Sequence, residues 1–184
     1  MILPIYLYGQ PVLRKEAEEV PTDYPKLKEL VENMYVTMAK ANGVGLAAPQ
    51  VGLALRMFVV DGNGLMDEYP ECKGVRLCMI NPEIVEQAET FNSKDEGCLS
   101  IPGIYESVKR PDWIVINYLD ADFVEHEERF EGFAARMILH EYDHLDGKMF
   151  VDHVAPLRKQ FIKSKLQNIL KGKSQPEYKF KSVR

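Results

Sequence analysis

The residues best equipped for chemistry in this chain are His140 and His144, with Glu141 beside the first, in the stretch FAARMILHEYDHLDG at 133–147. Side chains at i and i+4 share a helix face, so both imidazoles can reach one metal ion. Glu141 lies one step around the helix, where a carboxylate can meet a water held by that metal. Phe133, Met137, Ile138 and Leu145 recur at helical spacing and Gly147 suits a C-cap, which predicts a largely apolar, buried helix. Buried polar groups need partners, and a metal would supply them. The alternative is a solvated helix face on which the pattern arises by chance.

Two imidazoles leave a catalytic metal one protein ligand short, because such sites hold three plus an open position. The metzincin spacing would put the third ligand downstream, where this chain has Phe150. A thermolysin-like enzyme would draw a Glu from a following helix, but residues 148–176 contain none. Asp152 and His153 are downstream candidates that fit neither spacing. Upstream, Asp95-Glu96-Gly97-Cys98-Leu99-Ser100 offers Cys98 in a polar, glycine-flanked setting that suits an accessible thiolate better than core packing.

The elements that must position these groups follow from the rest of the chain. At 184 residues it suits one domain with a real core, expected over 1–172. An apolar fraction of 46% and a charged fraction of 28% describe an ordinary soluble globular protein. No apolar run approaches the roughly 18 residues of a spanning helix, and residues 1–8 lack a basic leader, so the cytoplasm is expected and a membrane is not. The three cysteines, Cys72, Cys78 and Cys98, form no disulfide framework; Cys72 reads as a bystander and Cys78 as a packing residue. A net charge of −5 argues against a general nucleic-acid or DNA binder. The charge is uneven, however: residues 156–184 carry nine basic side chains against Glu177 alone.

Along the chain, 2–20 reads as extended. Helix signals start near Thr22-Asp23, with Leu27, Leu30, Val31, Met34 and Met38 on one face and Asn42-Gly43 as the stop. The uncharged Gly43–Gly52 segment admits two readings: a tight packed turn, or a backbone that approaches a ligand closely with Gln50 as an amide donor. Strands are expected at 55–60, 77–80, 84–87, 105–108, 113–119 and 123–130, with His126 at a solvated strand position. Pro156 opens a last helix that Gly172 ends, and 173–184 is expected to be a disordered basic tail. This order predicts an α+β fold, with antiparallel β-sheets surrounding a central metal-binding helix and a C-terminal helix.

Three segments, Gly43-Val44-Gly45-Leu46-Ala47-Ala48-Pro49-Gln50, Glu96-Gly97-Cys98-Leu99-Ser100 and His140-Glu141-Tyr142-Asp143-His144, stand in the order shown by the bacterial peptide deformylases. The chain closely resembles that family over roughly 8–147, and Ile101-Pro102-Gly103 with the last helix resembles its Gram-negative and organellar type. The resemblance implies that Cys98, His140 and His144 bind one divalent metal, Fe2+ physiologically, with Zn2+, Ni2+ or Co2+ able to occupy the same site. It implies hydrolysis of the formamide of N-formyl-methionyl nascent peptides, with release of formate. Glu141 would move the proton of the attacking water, while the Gln50 amide and the Leu99 N–H would steady the oxyanion. Val44, Gly45, Leu46, Gly97, Phe133 and Met137 are expected to form the methionine-binding slot, with core packing as the alternative for Phe133 and Met137. Glu96 and Arg110 are expected to pair and hold the Cys98 segment. The family's C-terminal helix further implies ribosome contact, against a solvated basic helix. Two other readings compete: a small metalloprotease, and a metal-storage protein that needs no general base.

Overall fold

The computed structural model describes residues 1–183. Its centre is a five-stranded antiparallel sheet in the order β2 (Gly45–Ala47), β3 (Met57–Asp61), β4 (Arg76–Gln87), β7 (Trp113–Leu119) and β8 (Glu125–Glu131). A long antiparallel hairpin, β5 (Phe91–Cys98) and β6 (Ile101–Pro111), stands beside it. Between them runs α2 (Gly132–Leu145), whose residues from Ala134 to Glu141 are all buried. A helix apolar on nearly every side must be enclosed, and here sheet and hairpin enclose it.

The expected antiparallel sheets around a metal-site helix are therefore present. α1 (Leu27–Lys40) buries Leu27, Val31, Met34 and Met38 of the expected stripe, with Thr37 added and Leu30 only half-buried. It begins at Leu27 rather than near Thr22, because Lys26 adopts a left-handed conformation immediately before it. The strands expected at 77–80 and 84–87 are one strand, β4. Its ladder absorbs Asn81-Pro82 through a register shift between Ile80 and Glu83, with Asn81 at φ 48°. Strand β5 was not expected at all, since its polar sequence FNSKDEGC carries no alternating apolar signal.

The N-terminus of α2 is capped from a distance. Its first turn holds no capping side chain of its own, and the Phe133 N–H donates to Glu71 Oε1 at 2.8 Å. A carboxylate there also complements the positive end of the helix dipole. Glu71 belongs to the loop that follows β3, so that loop fixes where the metal-site helix starts.

The expected disordered tail does not hold for its described part. After α3 (Pro156–Leu170) the chain returns and forms β9 (Phe180–Lys181), which pairs in parallel with β1 (Ile5–Tyr6). The low hydrophobicity of 173–183 concealed this, because the pairing uses backbone groups: Ile5 N–H donates to Lys179 O and Leu7 N–H to Lys181 O, both at 2.9 Å. Arg184 lies outside the described residues. No helix among the described residues is long and apolar enough to cross a membrane.

Candidate metal centre

Helix α2 presents His140 and His144 on one side, and the end of β5 brings Cys98 to the same point. Their ligand atoms all lie within 4.8 Å of one another, and Cys98 Sγ stands 3.4 Å from His144 Nε2. The third donor that the helix lacked thus comes from upstream. Asp152 and His153 stay out of this cluster: Asp152 pairs with Arg14 and His153 with Asp143.

The donor chemistry fits a divalent transition metal. One sulfur and two imidazole nitrogens suit a borderline-soft ion, and three protein ligands leave a position open. Glu96 Oε1 lies 2.9 Å from His140 Nδ1, and an ionised carboxylate can only accept, so Nδ1 carries the proton and Nε2 offers a lone pair. Burial pushes His144 down to about 3, which leaves it neutral and able to ligate. For His140, burial pulls down, but the neighbouring Cys98 sulfur and Glu96 carboxylate outweigh it and raise the pKa well above the usual range. The same anionic neighbours favour a metal cation at this point.

Glu96 is the hub of a buried ionic network. Arg110 grips it at two points, Nε to Oε2 and a terminal nitrogen to Oε1, both 2.9 Å, as expected from the sequence. Arg136, which was not expected, adds a 2.7 Å bond to Oε2 and also donates to the backbone carbonyls of Val108 and Asn92. Arg110 further reaches Asp143 at 2.7 Å, so one arginine joins the Cys98 strand to the histidine helix. The signal for Arg136 was in the sequence: a cation inside an apolar helical run must find buried partners. Burial alone would raise the Glu96 carboxyl, but hydrogen bonds from Arg110 and His140, with their charges, hold it far below the usual carboxylate range.

Beside the cluster opens a cavity of about 430 Å³ whose lining includes Val44, Gly45, Gln50, Gly97, Cys98, Leu99, Phe133, Met137, His140 and Glu141. All the expected site residues line it except Leu46 and the ligand His144. Leu46 is a correction: side chains alternate along β2, so while Gly45 faces Glu141, Leu46 turns into the core and is fully buried. In the Gly43–Gly52 segment the backbone at Gly45 packs tightly against the protein's own Glu141 side chain. A methyl group there would collide with the Glu141 carboxylate. Burial pushes Glu141 up to about 7, with His140 opposing and Glu96 adding, and its Oε2 has no hydrogen-bond partner among the described residues. His144 Nδ1 likewise lacks one.

Gln50 is oriented by its own neighbours. Its Oε1 accepts from Ala47 N–H at 2.9 Å, which turns Nε2 towards Ser100 Oγ at 3.2 Å and Cys98 Sγ at 3.5 Å. Tyr178, from the tail, also lines the cavity and was missed.

The family model described as polypeptide deformylase matches residues 2–160. A peptide deformylase of Christiangramia forsetii is 49% identical, covering 98% of this chain and 96% of its own length. One from Flavobacterium psychrophilum is 47% identical over 100% of this chain and 98% of its own. Among solved structures, the peptide deformylase of Legionella pneumophila aligns with a TM-score of 0.82 at 36% identity, covering 95% of this chain and 100% of that one. A plant peptide deformylase aligns with a TM-score of 0.84 at 33% identity, covering 93% and 90%. With a Cys-His-His metal site, a buried carboxylate beside it and these likenesses over nearly the whole chain, the protein belongs to the peptide deformylase family, the metal-dependent hydrolases that remove the formyl group from the N-terminus of newly made proteins.

Proposed function

We propose that Cys98, His140 and His144 hold a ferrous ion, that Glu141 moves the protons of the reaction, and that Gln50 and the Leu99 N–H steady the developing oxyanion. The observation that carries this reading is the placement of Glu141: a buried carboxylate with one free oxygen, pressed between Gly45 and the ligand cluster. Held by these three residues, a divalent ion would supply Lewis-acid chemistry, lowering the pKa of a water at the open position from about 15.7 towards 7. Glu141 accepts the proton as the water oxygen bonds to the formyl carbon, then delivers it to the amine nitrogen as the carbon–nitrogen bond breaks. Formate and a free amino terminus are the products. The Gln50 Nε2 and Leu99 N–H donors act while charge sits on the formyl oxygen, and losing one such donor costs about 100- to 1000-fold in rate.

The family likeness supports ferrous iron, and the same donors accept Zn2+, Ni2+ or Co2+. Phe133, Met137, Val44, Gly45 and Gly97 form the methionine slot in this reading. Phe133 stacks on Tyr69 with ring centroids 4.3 Å apart, which gives that slot a rigid aromatic wall. Residues 1–172 act as one catalytic domain, with the following segment laced onto it.

Glu141→Gln is the direct test. It should retain metal while turnover falls about 100- to 10,000-fold, the range for a lost general acid–base group. Full activity in that variant would remove Glu141 from the mechanism.

We also propose that α3 meets the ribosome, which places the protein in the cytoplasm. The helix exposes Leu157 and Phe161 beside Lys159, Lys163 and Lys165, an apolar and basic face suited to ribosomal RNA and protein. Binding should weaken steeply with salt. Lys163→Glu with Lys165→Glu should lower it, and unchanged ribosome binding would end the idea.

A further inference from the structure

The turn Leu99-Ser100 that joins β5 to β6 is held from outside by both ends of the chain. Tyr8 N–H donates to Ser100 O at 2.8 Å, and Tyr178 Oη donates to Leu99 O at 2.5 Å. Tyr8 stands just past β1 and Tyr178 just before β9, so one small parallel ribbon delivers both bonds. Gln10 Nε2 adds a 2.6 Å bond to Ser182 O, which ties the ribbon's far end. The Leu99 carbonyl belongs to the peptide that follows the residue, while its N–H belongs to the peptide before. Fixing the one limits rotation about Leu99 and so limits where its N–H points.

We infer that Tyr178 is a positioning residue of the catalytic centre: its hydroxyl, carried by the β1–β9 ribbon, holds the Leu99 peptide so that the Leu99 N–H faces the reacting formyl oxygen. This rests on the assignment of that N–H as an oxyanion donor. The ring of Tyr178 lines the same cavity, so the tail forms part of the cleft. A pre-aimed donor is worth more in the transition state than one that must reorganise, which places the effect on kcat rather than KM.

Tyr178→Phe in the full chain removes one oxygen and keeps the ring. It should lower kcat about 2- to 12-fold, the net worth of one hydrogen bond, with KM for a formyl-methionyl peptide and metal content unchanged. In metal-free protein, amide exchange across 97–101 should become faster, a readout independent of turnover. Wild-type kcat in Tyr178→Phe would overturn the inference. The exchange readout separates the two readings. If exchange across 97–101 speeds up in Tyr178→Phe while kcat stays at the wild-type value, the assignment of the Leu99 N–H as an oxyanion donor fails. If neither exchange nor kcat changes, only the role of the tail is lost.

Discussion

Arg110 and Glu96 form a two-point ion pair, both contacts 2.9 Å, in which each side chain is 5% exposed. The pair links strands β5 and β6, and through Glu96 it orients the imidazole of His140. Arg110→Ala leaves Glu96 with Arg136 and His140, and leaves Asp143 with His153. Breaking a buried pair typically costs about 3–5 kcal/mol, and losing support behind a ligand weakens metal affinity about 10- to 100-fold. Chelator competition and thermal melting measure the two effects. Unchanged metal retention would show that the network does not act on the ligand.

The same carboxylate sets an acid dependence. Its pKa is depressed in the folded state, so its stabilisation is complete above the ordinary value of 4.5 and is lost as pH falls below that towards the depressed folded value. Glu96→Gln cannot titrate there. Unfolding by denaturant in metal-free protein between pH 7 and pH 3 should give the wild type a steeper loss of stability below about pH 4.5 than the variant. The variant should also be less stable near neutrality. Parallel curves would contradict the assignment.

Gly45 tests the close approach of backbone and catalytic carboxylate. Gly45→Ala forces either the β2 backbone or Glu141 to move, because the added methyl meets that carboxylate. Since a displacement of about 1 Å at a reacting group can cost 100-fold, kcat should fall by about that factor while metal content persists. Steady-state kinetics with metal analysis decides this, and a fully active Gly45→Ala would show that Glu141 has room to spare.

Much of this architecture was legible in the chain because its signals are local. The spacing of His140 and His144 gives their shared face, and the stripe of Leu27, Val31, Met34 and Met38 gives α1. Cys98 was legible as a thiol in an unsuitable place for packing, and Arg110 as its expected support. What was missed depends on long-range backbone pairing or on distant partners. Strand β5 is polar because its exposed side chains face solvent. The strands of the β1–β9 ribbon are two residues long, too short to leave a pattern. Tyr178 reaches Leu99 across 79 positions of sequence, and Glu71 caps α2 across 62. Leu46 leaves its expected place because a strand shows alternate residues to opposite sides, which a run of small residues does not reveal.

The most direct measurement is formate release from a formyl-methionyl peptide, with protein purified and assayed without oxygen and its metal content known. Exclusion of oxygen matters because a thiolate ligand is open to oxidation. The wild type should release one formate for each free amino terminus formed, and Cys98→Ser should lose both bound metal and release. Formate release at the wild-type rate from Cys98→Ser, or cleavage of an internal peptide bond in place of the formamide, would contradict the account.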